Sequence, residues 1–539
     1  MKKALQFMVM LAAVAVCITS CSNNASKLTR FIPKDASVVA GIDAKGMTEK
    51  LAKGNMDIDT IASLLSGGND SSEIETKWNE LKSSGIDLSA ELYVFGKQTS
   101  SIMEGSSSTM GVLVSLKDVS AFEQFIKKKK PGAEIKTSGD YSYVALGDDY
   151  IVGWKDKVAI LDNVHGGKNA PGTYNTGEGT LSQLLLTKLF AQGASESIES
   201  VDAFKDLEKE QGDILFYSAV SSTDAGLSAL SLSKMGDLIA DSYTTGTINF
   251  EDGKVVASFT GTTSKVLGQI FEKYPGHSLD AGALDKYPLH ADGFMSLSFN
   301  PRVLAEIVKY AGAEDMANQA LSQYSLTIDD VVKALKGDIT VAVTANDDMQ
   351  KPQPGMPEKS PAKFIFNAAI GDKASYDKVV TALNAKGVQV PQNGVVAVPM
   401  FGNLAVSVTD KNLVVASDID ILQKYLSGTS KGSVTDDVKS KISGKSVAFY
   451  ADINAVMQKI KAAHPDSTAS AKDSTAPFIK DFIATGDKLN GKTVKGDAEL
   501  RMLDESQNSL VTIVRQAVAH KKAGKTFSNP WFERHAALW

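Results

Sequence analysis

SVVAGIDAKGMTEKL, residues Ser37–Leu51, runs from a short apolar segment through Asp43 into a stretch with helical spacing. Asp or Asn suits such a junction, because its side-chain oxygen accepts from the free N–H groups of a helix's first turn. The same design returns as FMSLSFNPRVLAEIV at Phe294–Val308, with Asn300 at the junction. It appears again as SVAFYADINAVMQKI at Ser446–Ile460, with Asp452 there. A recurring strand–cap–helix unit predicts an α+β protein assembled from related parts.

Longer blocks extend the likeness. Asp43 and Asn300 lie 257 residues apart. GVLVSLKDVSAFEQFI (Gly111–Ile126) is echoed by FIFNAAIGDKASYDKVV (Phe364–Val380), where Asp118 and Asp372 lie 254 apart. Phe122, Phe125 and Ile126 match Tyr376, Val379 and Val380 at the i, i+3, i+4 spacing of one helix face. Tyr141–Asn163 parallels Val395–Asp418, each reading as three short strands, with Lys155-Asp156-Lys157 and Asp410-Lys411-Asn412 as second turns. GDILFYSAV (Gly212–Val220) resembles GKSVAFYAD (Gly444–Asp452). A hairpin is expected after each: Thr247–Phe259, turning at Asp252-Gly253, and Ala498–Val514, with a looser turn. These blocks keep one order. They predict an internal duplication into two related domains, 28–264 and 285–516, joined by a linker at 265–284. Each domain is expected to be a mostly antiparallel β-sheet packed with helices. A single α+β domain with coincidental likenesses is the alternative. Gly96–Met110 and Asn346–Lys363, at matching places in the two copies, read as exposed polar loops, either solvated hairpin ends without a role or places for binding.

The first twenty residues read as a targeting signal: Lys2 and Lys3, then an apolar run, Leu5–Val16, too short to span a bilayer. Ile18-Thr19-Ser20-Cys21 resembles the bacterial lipobox, which implies cleavage before Cys21 and lipid on that cysteine. An ordinary signal peptide is the alternative. Residues 21–27 then form a tether. Cys17 and Cys21 are the chain's two cysteines, so a mature chain would hold no disulfide and no thiol nucleophile. Losing residues 1–20 removes Lys2 and Lys3 and no acid, which moves the formal charge from −6 to −8. That mild acidity argues against a nucleic-acid partner.

Motifs that resemble chemistry fail on context. Gly486–Thr493 satisfies G-x4-G-K-T, yet a phosphate loop needs a strand before it and a helix after it. Phe478–Ala484 reads as helix and Val494–Leu503 as strand, the reverse order. Ser231-Leu232-Ser233-Lys234 matches S-x-x-K without its partner motifs. The six histidines are scattered, and the Asp-x-Asp pairs lack a calcium loop's remaining ligands. No catalytic residue, metal site or cofactor is expected. Lys127–Lys130 before Pro131-Gly132 reads as a helix end. Trp531, Phe532 and Trp539, in the tail 517–539, are candidates either for docking on their own domain or for holding a partner.

Lipobox, tether, the segment FIPKDASVVAGID (Phe31–Asp43) and the duplicated body together resemble an uncharacterised lipoprotein family of Bacteroidota, domain-of-unknown-function family 4836. The resemblance implies an envelope location and brings no catalytic residues. Asp59-Thr60-Ile61, Asp466-Ser467-Thr468 and Asp473-Ser474-Thr475 resemble O-glycosylation sites of exported Bacteroidota proteins, which marks Thr60, Ser467 and Ser474. Outer-surface lipoproteins there tend to carry acids after the cysteine. Ser22–Lys27 has none, so the periplasmic side of the outer membrane is expected, with membrane attachment through Cys21. Three functions stand: a non-enzymatic protein that binds or scaffolds an envelope protein or glycan; an envelope glycan or peptide hydrolase with its site between the repeats; and a carrier of an apolar ligand.

Overall fold

Ser37–Leu51 forms the elements its residues call for. Strand β1 (Val38–Ile42) ends at Asp43, whose Oδ1 accepts the Gly46 N–H at 2.9 Å and so caps helix α1 (Ala44–Lys53). Asp452 Oδ1 accepts the Ala455 N–H at 2.8 Å in the same way. Asn300 departs from the expected pattern: Pro301 takes the N-cap place without a side-chain bond, and Asn300 Oδ1, one residue earlier, accepts the Arg302 N–H at 3.1 Å. The computed structural model describes residues 27–57, 60–61, 71–101, 105–146, 150–166, 178–220, 234–345, 362–386, 390, 394–398, 404–428, 434–463 and 478–522.

Contacts divide the chain into two units, the first taking Met1–Ala229, Tyr243–Ala257 and Asp504–Trp539, the second Leu230–Ser242 and Ser258–Leu503. In the first unit α2 (Ser71–Lys82) precedes β2 (Leu92–Ser101), β3 (Gly105–Ser115) and α3 (Val119–Lys129). Next come β4 (Lys136–Ser138), β5 (Tyr141–Ala145), β6 (Tyr150–Lys155), β7 (Val158–Gly166), α4 (Glu178–Ala191), β8 (Ile214–Ala219) and β9 (Tyr243–Glu251). Pairing runs β4–β5–β6–β7–β3–β2–β1–β8–β9, antiparallel throughout. One sheet face packs Phe95, Leu113, Ile160 and Tyr217 against Leu186, Leu189 and Phe190 of α4. On the other, Phe122 and Ile126 of α3 meet Val152 and Trp154.

Strand β10 (Lys254–Thr262) and helix α5 (Lys265–Lys273) lead into the second unit. There β11 (Gly293–Ser298) is followed by α6 (Arg302–Tyr310), β12 (Leu335–Ala345), β13 (Ala362–Ile370) and α7 (Lys373–Asn384). Strands β14 (Gly394–Val398), β15 (Leu404–Val408) and β16 (Asn412–Ala416) precede α8 (Ile419–Ser427), β17 (Val447–Ala451), α9 (Ile453–Ala463), β18 (Ile479–Gly486) and β19 (Thr493–Met502). Pairing runs β14–β15–β16–β13–β12–β11–β17–β18–β19, again antiparallel. Phe294, Ala342, Ile365, Ala448, Tyr450 and Ile483 share one face, buried with Ile421, Leu422 and Tyr425 of α8. This is an α+β architecture in both units.

Two helices lie away from the sequence stretch that precedes them. Helix α10 (Ser509–Lys522) follows β19 but belongs to the first unit, where Leu510 and Val511 pack with Met47, Leu51 and Trp78. Helix α5, inside the expected linker, belongs to the second unit and packs Ile270 with Val303 and, less deeply, Ile307 of α6.

Three expectations are corrected. Phe478–Ala484 is strand β18, because its residues alternate between buried Asp481, Ile483, Thr485 and half-buried neighbours. The hairpin expected over Ala498–Val514 is instead β18–β19, and Leu510–Val514 is helical. Asn508 Oδ1 accepts the Leu510 N–H there, and Leu510, Val511 and Val514 fall on one helix face. Gly96–Met110 is no loop: β2 and β3 stay paired from Gly96↔Met110 to Ser101↔Gly105, since a continuous ladder satisfies the backbone of its small polar residues. Residues 346–361 of the matching stretch lie outside the described residues.

Candidate functional site

In the second unit, β11 and β17 carry apolar residues on both faces, as the paired runs Phe294-Met295 and Phe449-Tyr450 require. Phe294 and Tyr450 point into the core. Met295 and Phe449, directly opposite one another across the two strands, point the other way. The register continues this outer row: Val341 of β12 faces Met295, and Ala484 of β18 faces Phe449. The next row holds Leu297 opposite Val447, and the row before holds Ala451 opposite Phe482. The Phe449 and Phe482 rings lie 5.9 Å apart. Over β13, β15 and β16 this outer face is covered by Tyr376 and Val380 of α7. Over β11 and β17 it is open: Met295 is 50 % exposed, Phe449 44 % and Val447 37 %. A solvated sheet face ordinarily turns polar residues outward, so a contiguous apolar one makes this the candidate binding surface.

Two other places gather polar side chains. Ser298 Oγ donates to Asp338 Oδ1 at 2.6 Å, and His277 Nε2 lies 2.7 Å from that same oxygen. Burial works against the Asp338 charge, but bonds from Ser298 and Lys336 and the neighbouring His277 outweigh it and hold the carboxyl below its usual range. An acyl-transfer site needs the imidazole against the serine to take its proton. Here the carboxylate stands between them, so the trio braces the sheet end. The second place is a hollow of about 560 Å³ lined by Lys27, Arg30, Phe31, Glu199 and Lys205. Its cations are matched: Lys27 with Glu208 at 2.8 Å, Arg30 with Glu199 at 3.0 Å, and Lys205 with Asp202 at 2.8 Å. Without net positive charge it has little to select an anion.

Gly486–Thr493 joins β18 to β19, and with a strand on either side no helix N-terminus aims at a phosphate. Of the lysine run, Lys128 and Lys129 both pair with Glu80, whose carboxyl they hold at about 2, and Lys130 donates to the Ala145 carbonyl. Thr60 is half-buried, its N–H donating to Asp57 Oδ1 at 2.7 Å. Cys21, Ser231, Ser467, Ser474, Trp531, Phe532 and Trp539 lie outside the described residues. Among the described residues no group of three or more His, Cys, Asp and Glu side chains could hold a metal ion. No described helix is long and apolar enough to cross a membrane. Met295, Val447 and Phe449 escaped the sequence reading. The signal was strands apolar at consecutive positions, in the segments FMSLSF and VAFYA.

A protein family described as "Domain of unknown function (DUF4836)" matches residues 28–386. No curated protein matches the chain. Among solved structures, crystal forms IV, I and III of TP0453 are similar over 44 %, 45 % and 46 % of this chain and 81 %, 80 % and 82 % of that one. Identities are 10 %, 9 % and 10 %, and TM-scores 0.24, 0.21 and 0.24. A likeness that slight transfers neither fold nor activity.

Proposed function

We propose that this chain, which belongs to the DUF4836 family, is a non-enzymatic binding protein of a bacterial cell envelope, held to the membrane by lipid on Cys21. Its binding surface is the open outer face of β11 and β17. One observation carries this reading: Met295, Phe449 and Val447 stand exposed in adjoining cross-strand positions, with apolar neighbours on both sides. Leaving such side chains in water costs about 25 cal/mol for each Å² that a partner would cover, so contact there is favoured. Two units of like strand order fit a duplicated ancestor, and on that view the second copy has kept or acquired this surface. An address on the periplasmic side of the outer membrane rests on the signal-like residues 1–20 and a tether without acidic residues.

The test is native mass spectrometry of full-length protein purified from membranes in mild detergent. A bound component on the wild-type chain, lost in a Met295→Glu/Phe449→Glu variant, is the expected result. Equal occupancy of both proteins, or none on either, would overturn the site. Cys21→Ser should move the protein out of the membrane fraction. Retention there would remove the lipid from the proposal.

A further inference from the structure

From this surface we infer the class of ligand: the slot over β11 and β17 receives the single hydrocarbon chain of a fatty acid. The inference rests on the binding reading above and deepens it. Size decides first. The exposed side chains sit on two adjacent strands, so they form a strip about 5 Å wide, which from Gly293 to Leu297 runs about 14 Å at ~3.4 Å per residue. Extending the floor to β12 and β18 gives about 14 Å by 14 Å, on the order of 200 Å². A stable protein partner needs about 800 Å² on each side. The floor is several times too small for that, while the exposed strip along its middle is about as wide as a hydrocarbon chain, whose carbons contact neighbours at about 4 Å.

Chemistry decides second. Every side chain in the three rows, Val341–Met295–Phe449–Ala484, Leu297–Val447 and Ala451–Phe482, is apolar. A protein interface of ordinary kind carries about one hydrogen bond per 100–200 Å², and these side chains offer no donor or acceptor. A hydrocarbon chain asks for none. Met295 adapts to a flexible occupant, and the Phe449–Phe482 pair presents ring edges and faces. Strands β11 and β17 are antiparallel, so α6 and α9 begin at opposite ends of the slot. Those helices carry further exposed apolar residues, Leu304 on α6 and Met457 and Ile460 on α9. An ordinary solvated sheet face alternates inward apolar with outward polar residues. This one does not.

The probe is a diazirine-bearing analogue of palmitic acid, photolysed on the full chain and located by peptide mass spectrometry. Label is expected on the peptides holding Met295, Phe449 and Phe482, displaced by unlabelled palmitate. Met295→Gln/Phe449→Gln should lose at least tenfold of the label with an unchanged circular-dichroism melt. Should that pair disturb folding, Val447→Gln carries the same expectation. Saturable label elsewhere, or undiminished label in the variants, overturns the fatty-acid assignment. A photoreactive residue at position 449 separates the two readings in cells. Capture of a defined protein, or of a second copy of this chain, refutes the fatty acid and leaves the binding surface standing. No capture together with no palmitate label refutes both.

Discussion

Asp162 is fully buried in the middle of β7, opposite Gly111 of β3 and Ile151 of β6. It lies on the sheet face that packs under α4. At the corresponding register position of the second unit stands Ala416, opposite Ile365 and equally buried in the core. Neither Asp162 oxygen makes a hydrogen bond of normal geometry, and the Asn163 backbone N–H offsets only part of the cost. Burial therefore pushes the carboxyl from 3.8 up to about 7. With the folded value raised, the native chain holds a proton that the unfolded chain gives up above about pH 4. Stability should fall as pH rises from 4 to 7 and level off beyond. Three pK units at ~1.4 kcal/mol each make the full penalty about 4 kcal/mol, of which about 3 kcal/mol accrues between pH 5 and pH 8. Asp162→Asn keeps the size and removes the titration. Both Trp78 and Trp154 lie in the first unit, and no tryptophan occurs between residues 258 and 503. With Trp531 and Trp539, which lie outside the described residues, replaced by Phe, tryptophan fluorescence in urea reports the first unit. Relative to wild type, the Asn variant should gain on the order of 1 M in urea midpoint between pH 5 and pH 8. Parallel pH dependence in the two proteins would refute the reasoning.

Other perturbations test how each unit is held. Val511→Ala removes two methyl groups from a fully buried site on α10 and should cost the first unit about 2 kcal/mol, seen in the same tryptophan transition. Gly253 turns the β9–β10 hairpin at φ +70°, and a Cβ there would come within 2.6 Å of the Glu505 backbone. Gly253→Ala should therefore lower stability by more than about 1 kcal/mol, measured by calorimetry. Lys459 lies 2.6 Å from the buried Asp292 carboxylate, so Lys459→Met strands a charge. The loss expected is about 3 kcal/mol in a circular-dichroism melt.

Much of this architecture was legible because it rests on local chemistry. Asp43, Asp118 and Asp372 cap helices as their residue type requires, and the strand triplets before Asn163 and Asp418 form as their alternation suggests. What escaped depends on partners distant in the chain. SLVTIV reads equally well as strand or helix until Asn508 and the Met47–Leu51 surface decide it. Phe478–Ala484 reads as helix from sequence because its two-residue period is short. The exposed face needed cross-strand register: Met295 and Phe449 are far apart in sequence and become a surface only when β11 meets β17. Asp162 falls in the last of three expected strands, and its burial follows from α4 lying above β7.

The central claim is that the outer face of β11 and β17 is where this protein binds. Its most direct test is photocrosslinking in intact cells with a photoreactive amino acid at position 449, compared with one at position 316. Met316 is an exposed apolar residue on the helix Glu314–Ser322, away from the slot's rows. A discrete mass added at 449 and absent at 316 is predicted. Equal, diffuse labelling at both positions, or none at 449, would contradict it.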